Sequence, residues 1–235
     1  MQAFLEIAPQ GKEQPRIVLL TPGPRNETYF EHAFLASYMG FTLAQGDDLV
    51  ARDGFVWIKT VEGLEKVDII LRRVDDSYCD PLELREDSHL GIPGLLEVIR
   101  KGNVAIANPL GSSILENTGL MAFMHNIFKF FLNEDPVFKM VATWWCGQKK
   151  EMDYVIQNIS QLVVKKIDRT AGSGTVIGSQ LSKAQKEQLI RRIKTEPYLY
   201  VGQEEVGFST SPVFTKEKLD PRYTVLRTFL VASKG

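Results

Sequence analysis

The chain has 235 residues, 44% hydrophobic and 10% aromatic, with a mean hydropathy of −0.11; this suits a folded chain with a real core and excludes a disordered polymer. Its 28 Lys and Arg balance 29 Asp and Glu, which argues against a broad nucleic-acid footprint. No apolar run reaches the roughly 18 residues of a membrane span, so no membrane partner is expected.

Residues Met1–Pro15 show neither a basic start nor a long apolar core, as a signal peptide would. Two cysteines, Cys79 and Cys146, lack CxxC spacing, and the three histidines (His32, His89, His125) are scattered. A reduced, cytoplasmic protein without a zinc site is the expectation.

In chain order, Arg16–Leu20 is a buried-strand run closed by the turn Thr21-Pro22-Gly23-Pro24. Asn26 is placed to cap a helix running from Glu27, with Phe30, Phe34, Leu35 and Tyr38 at helical spacing and Gly40 as its stop. Strand, tight loop and helix open an α/β layer, and the loop at the strand's C-terminal end is where such sheets hold ligands. The loop Thr21–Glu27 is therefore either a ligand border or a well-capped connector.

Gly40–Leu43 reads as a second strand, and Asp53-Gly54 as the turn of a hairpin between Leu49–Arg52 and Phe55–Lys59. Lys66–Leu71 reads as one further buried strand. It delivers Arg72 and Arg73 at its edge, where they suit a carboxylate or phosphate, or else pair locally with Asp75 and Asp76. A helix from Pro93 to Lys101 and a strand over Gly102–Pro109 follow. Leu110–Leu132 has a helical pattern whose Met and Phe stripe predicts core packing.

Pro136–Gly147 reads as a connector and Gln148–Ser160 as a helix. Leu162–Gly178 then joins two β-branched runs through a Gly-rich loop, Ala171–Gly174, with Lys165 and Lys166 just before it. Such a hairpin can cover a polyphosphate with backbone N–H groups and a lysine, or be a plain hairpin with exposed lysines. Ser182–Lys194 is an amphipathic helix with Ser182 as N-cap and Gln185 completing a capping box. Tyr198–Val206, Val213-Phe214 and Tyr223–Ala232 complete an antiparallel region. The apolar final strand has no partner after it, so a fragment of a longer protein is expected.

Taken together, LLTPGPRNETYFEHAFLA, DIILRRVDDSYCDPLEL, NVAIANPLGSSILEN, VATWWCGQ, LVVKKIDRTAGSGTVIG, YVGQEEV and VLRTFLV resemble, in this order, the circularly permuted type 2 ATP-grasp proteins. The likeness spans nearly the whole chain and extends to glutathione synthetase-like and glutathionylspermidine synthase-like enzymes. It implies an α/β then α+β fold: a small parallel-sheet pre-ATP-grasp-like domain on the substrate side, residues 1–140, then an antiparallel ATP-grasp lid subdomain, residues 141–235.

The resemblance also assigns roles. Lys165 matches the strand-borne lysine that contacts nucleotide phosphates; the family usually has proline next, whereas Lys166 follows here, which leaves the choice between the two lysines open. Gly172, Ser173 and Gly174 would cover the phosphates. Gln203, Glu204, Glu205 and Val206 would form the adenine-side hinge, and Arg227 would reach towards the phosphates. Arg72, Arg73, Asn108 and the loop carrying Thr21, Asn26 and Glu27 would border the acceptor.

The implied chemistry is an ATP- and Mg2+-dependent joining of a carboxylate to an amine through an acylphosphate. Two departures stand against a complete site. Leu115-Glu116-Asn117-Thr118-Gly119 lacks the lysine of the family's acidic-acidic-lysine motif, and the family's metal ligands would come from a segment before residue 1, with Asp75 and Asp76 as weak substitutes. A catalytically inactive nucleotide-binding or scaffold protein of the same fold is thus the alternative, and a substrate-binding module without nucleotide a third reading.

Overall fold

In the computed structural model, which describes residues 1–167 and 174–230, the first strand is as apolar as its sequence. All four residues of β1 (Ile17–Leu20) are buried. This suits a parallel strand covered on both faces. A short helix α1 (Gln2–Ile7) precedes it; α2 (Tyr29–Met39) and β2 (Thr42–Ala44) follow, then β3 (Leu49–Arg52), β4 (Phe55–Thr60), β5 (Gly63–Val67), β6 (Ile69–Arg72), α3 (Leu95–Arg100) and β7 (Ala105–Ala107). β1, β2, β6 and β7 make one parallel sheet of order β2-β1-β6-β7. β3, β4 and β5 form an antiparallel sheet.

Val18, Leu20, Ile70 and Ile106 join Leu49, Val56, Ile58, Leu95 and Val98 in one core cluster. Ile17 and Ile69 pack instead with Ala8 and Phe41. The alternation along β1 and β6 thus feeds two cores. Because β2 and β6 flank β1 on opposite sides, the loops after β1 and β6 leave at a topological switch point, where open α/β sheets form a crevice.

The predicted hairpin at Asp53-Gly54 is present, with both residues at positive φ (53° and 78°) as its two-residue turn requires. Gly40 ends α2 in the left-handed region. Two readings of this half need correction, the start of α2 and the strand over Lys66–Leu71. The helix starts at Tyr29 rather than Glu27, because Asn26 Oδ1 accepts the Thr28 N–H in a local turn instead of capping. α2 buries His32 and Ala36, leaving Phe30, Phe34 and Tyr38 exposed. The single strand expected over Lys66–Leu71 breaks at Asp68, whose buried carboxylate accepts the Arg16 N–H (2.8 Å) and Lys12 Nζ (2.7 Å) where the chain changes sheet.

The chain divides into two compact units, one built on Met1–Ser113 and the other on Ile114–Thr228. The second contains α4 (Met124–Leu132), β8 (Thr143–Trp145), α5 (Lys149–Gln157), β9 (Leu162–Lys166), β10 (Val176–Ile177), α6 (Lys183–Thr195), β11 (Tyr200–Glu204), β12 (Thr210–Thr215) and β13 (Lys218–Tyr223). The long helix expected over Leu110–Leu132 is broken into two 3-10 stretches, Ser112–Glu116 and Thr118–Phe123, before α4 begins. Asn117 interrupts it by accepting the Gly119 N–H (2.8 Å). No residue of α4 is buried, so its Met and Phe stripe does not pack as core.

β8 lies inside the expected connector, where Thr143-Trp144-Trp145 supplies strong strand formers. The sheet order is β10-β9-β11-β8, antiparallel throughout. The predicted capping box of α6 is present, with Ser182 N–H donating to Gln185 Oε1 (2.9 Å) and Gln185 N–H to Ser182 Oγ (3.4 Å). After β11, β12 and β13 form a separate hairpin. Of the strand expected over Tyr223–Ala232, only Tyr223 is paired and residues 224–230 have no regular structure; Val231 and Ala232 lie outside the described residues. Among the described residues no helix is long and apolar enough to cross a membrane.

Candidate functional site

Antiparallel register decides which side chains of the second unit point away from its helices α5 and α6. Leu162 and Val164 of β9 and Tyr200 of β11 pack with Val155 and Ile159 near α5 and with Leu189 and Ile193 of α6. One face of the sheet is therefore covered by these helices. Residues directly opposite in antiparallel strands share a face. Val201 lies opposite both Lys165 and Trp145, and Gln203 opposite both Val163 and Thr143, so these side chains leave the other face.

The alternation separates the two lysines. Lys166 shares its side of the sheet with Leu162 and Val164, and its Nζ lies 6.0 Å from the Tyr200 ring centre, whereas Lys165 emerges opposite the helices. The paired tryptophans report the same division. Trp144 stacks on Tyr154 of α5 at 4.6 Å, while Trp145 meets Phe123 edge-on at 6.0 Å. The Trp145 ring is fixed by its Nε1–H bond to the Tyr198 carbonyl (2.9 Å). With Ile167, Leu120 and Asn117 it lines an apolar cavity of about 210 Å3.

At the far end of β11, Gln203 is buried and its Nε2 donates to Thr143 Oγ1 (2.9 Å) and Met121 Sδ (3.4 Å). Glu204 exchanges bonds with Ala142: its backbone N–H donates to the Ala142 carbonyl and its Oε1 accepts the Ala142 N–H, each at 3.0 Å. Its carboxylate is thus committed within the protein. Glu205 Oε2 accepts from Ser179 Oγ at 3.4 Å, and Val206 is exposed. Gly174 is exposed, Gly172 and Ser173 lie outside the described residues, and Arg227 lies in the irregular stretch 224–230. Sequence reading missed Thr143 and Met121, the partners of Gln203; the Thr-Trp-Trp run was the available signal for the first.

In the first unit the two arginines at the end of β6 divide their work. Arg72 Nε donates to the Asn108 carbonyl (3.1 Å), Nη1 to the Val74 carbonyl (2.6 Å) and Nη2 to the Pro109 carbonyl (3.4 Å), and the guanidinium pairs with Asp76. Asp76 Oδ2 also accepts the Gly111 and Ser113 N–H groups (2.9 and 3.2 Å), while buried Oδ1 faces Arg72 as an ion pair and lacks an aligned hydrogen bond. Burial alone would raise the Asp76 carboxyl, but the bonds from Ser113 and Gly111 and the Arg72 charge outweigh it and hold it below its ordinary value.

Arg73, by contrast, is exposed at the switch-point edge. Asn108 is exposed, with its carbonyl on Arg72. Thr21 is buried, Asn26 half-buried and Glu27 exposed. Sequence reading also missed His32, which bonds Thr21 and Thr28 at the base of this loop. An isolated histidine gives no such signal.

The profile of the circularly permuted ATP-grasp type 2 family matches residues 1–235. The chain belongs to that family. An uncharacterised protein of Synechocystis sp. is 36% identical to it over 231 residues, covering 98% of this chain and 48% of that protein. Two uncharacterised proteins of Mycobacterium tuberculosis are 39% and 35% identical, covering 99% and 98% of this chain and 26% and 42% of theirs. This ATP-grasp chain thus spans about a quarter to a half of the length of these curated relatives.

The donor set fits one ATP-grasp ligand better than the other. A lysine on the sheet face turned away from α5 and α6, with strand-end amides beyond Gln203, suits a nucleotide. Mg2+ needs several oxygen ligands. Among the described residues no three His, Cys, Asp or Glu side chains form a group able to hold a metal ion. Asp76, one of the two sequence candidates, is committed to Arg72 and two amides. The described residues do not fit the metal.

Proposed function

We propose that the chain is part of an ATP-dependent carboxylate–amine ligase acting on an amino acid or peptide-like substrate. Family membership supports ATP-dependent ligation at the coarse level. The observation that carries the finer reading is the shared face of Lys165 and Gln203, opposite α5 and α6. Bound nucleotide would supply the phosphoryl group that turns a carboxylate into an acylphosphate, which an amine then opens with loss of phosphate.

The chain's own residues take the holding roles. Lys165, rather than Lys166, places its charge on the phosphates, and Glu205 and the backbone at Val206 border the base and ribose. Arg72 is a strut that shapes Asn108–Ser113, which leaves Arg73 to meet an anionic acceptor beside Thr21–Glu27. Residues of the second unit serve as the nucleotide-binding lid and those of the first as the substrate side.

A nucleotide-binding protein without catalysis is the second reading, favoured by Leu115–Gly119, where Asn117 bonds Gly119 and no lysine stands. ATP-dependent ADP formation with pooled amino acids, peptides and amines separates the two. ADP release that requires both a carboxylate and an amine supports the ligase. ATP binding with no turnover, by this chain and by a full-length relative, overturns it.

A further inference from the structure

His32 is only 2% exposed, yet both ring nitrogens are bonded. Nδ1 lies 2.9 Å from Thr21 Oγ1 and Nε2 lies 3.0 Å from Thr28 Oγ1. The neighbours determine the direction of each bond. Thr28 Oγ1 gives its single proton to Asn26 Oδ1 (2.7 Å), which also accepts the Thr28 N–H (2.9 Å). Towards the ring Thr28 can only accept, so Nε2 carries the hydrogen. Nδ1 is then the acceptor for Thr21, whose oxygen receives the Gly23 N–H (3.2 Å). The ring thus closes a circuit that ties both ends of the loop to the first turn of α2.

We propose that His32 is a positioning residue for the Thr21–Thr28 loop: its neutral ring holds the loop in shape, and protonation releases it. A proton on Nδ1 converts that nitrogen into a donor. Thr21 Oγ1 would then accept twice and its own buried hydroxyl proton would lose its acceptor. The electrostatics agree with the geometry: burial first, and the charge of Arg73 second, hold the imidazole below its ordinary value, with Glu31 opposing. β1 and β2, on which α2 packs, carry no titratable side chain.

The link to ligation rests on the proposed role of this loop at the acceptor. The positioning itself is measured without substrate, so the two can fail separately. The test is 15N imidazole NMR and amide exchange on the full chain. The expected spectrum is that of an Nε2–H tautomer titrating below 6.5. Exchange protection at Gly23 and Thr28, corrected for the intrinsic pH dependence, should fall at least about threefold as the pH is lowered through the His32 titration that the 15N spectra record. His32→Gln, which can donate and accept but does not titrate, should show a flat profile. An Nδ1–H tautomer, unchanged protection, or a pH-dependent profile that survives in His32→Gln would each overturn the proposal. If that variant does not fold, the wild-type spectra decide.

Discussion

Lys165 stands opposite Val201, and Gln203 lies two residues further along the same strand, so both side chains leave the sheet on the face turned away from α5 and α6. Lys166 falls on the other side by the pleat alone. The choice between two adjacent lysines is therefore a matter of register.

ATP should raise the melting temperature of the wild-type chain, as any ligand of the folded state does. Differential scanning fluorimetry should show that rise lost in Lys165→Ala and retained in Lys166→Ala. The opposite pattern would reverse the assignment of the two lysines.

Arg72 and Asp76 hold Asn108–Ser113 together, so Asp76→Asn should cost about 1–3 kcal/mol in urea unfolding at neutral pH. The sign of its pH dependence follows from the lowered carboxyl. The contribution is fully present above the ordinary value of 3.8 and is lost as pH falls through the lower folded value. The difference between wild type and Asp76→Asn should shrink on acidification. A difference that grows would place the stabilisation elsewhere.

Gly178 admits no side chain, since a Cβ there would lie 1.6 Å from the Ile159 carbonyl oxygen, a backbone atom that cannot move aside cheaply. Gly178→Ala should destabilise the chain by about 1–3 kcal/mol or more. Unfolding midpoints equal to wild type would contradict the close approach of Gly178 to the Ile159 carbonyl.

Cys79 and Cys146 are buried, and burial pushes their thiols up to about 11 and about 12. Neither should react with a thiolate-selective reagent in the native state near pH 8, and both should react in denaturant. Mass spectrometry after brief alkylation reads this directly.

How much was legible in the chain depended on the range of the interaction. Ile17–Leu20, the Asp53-Gly54 turn, the Gly40 stop and the Ser182/Gln185 capping box are local devices, and all are present as read. The failures have more than one cause, one of them local. Leu110–Leu132 has helical periodicity, but an Asn117 side-chain bond and the absence of buried positions on α4 are not visible in spacing. Thr143–Trp145 looked like connector because its partner, β11, lies 55 or more residues further along the chain, and that pairing is tertiary.

By itself the sequence determined the local signals and, through the order of its short stretches, the circularly permuted ATP-grasp likeness. Only the tertiary structure decided that Lys165 rather than Lys166 points away from α5 and α6, that Arg72 is spent on Asp76 and loop carbonyls, and that His32 ties Thr21 to Thr28. Caps, turns and periodicity depend on neighbours within a few residues, which composition encodes. Which face is covered and which charge is already paired depend on strands and loops brought together from far along the chain, and those are settled only when the chain folds.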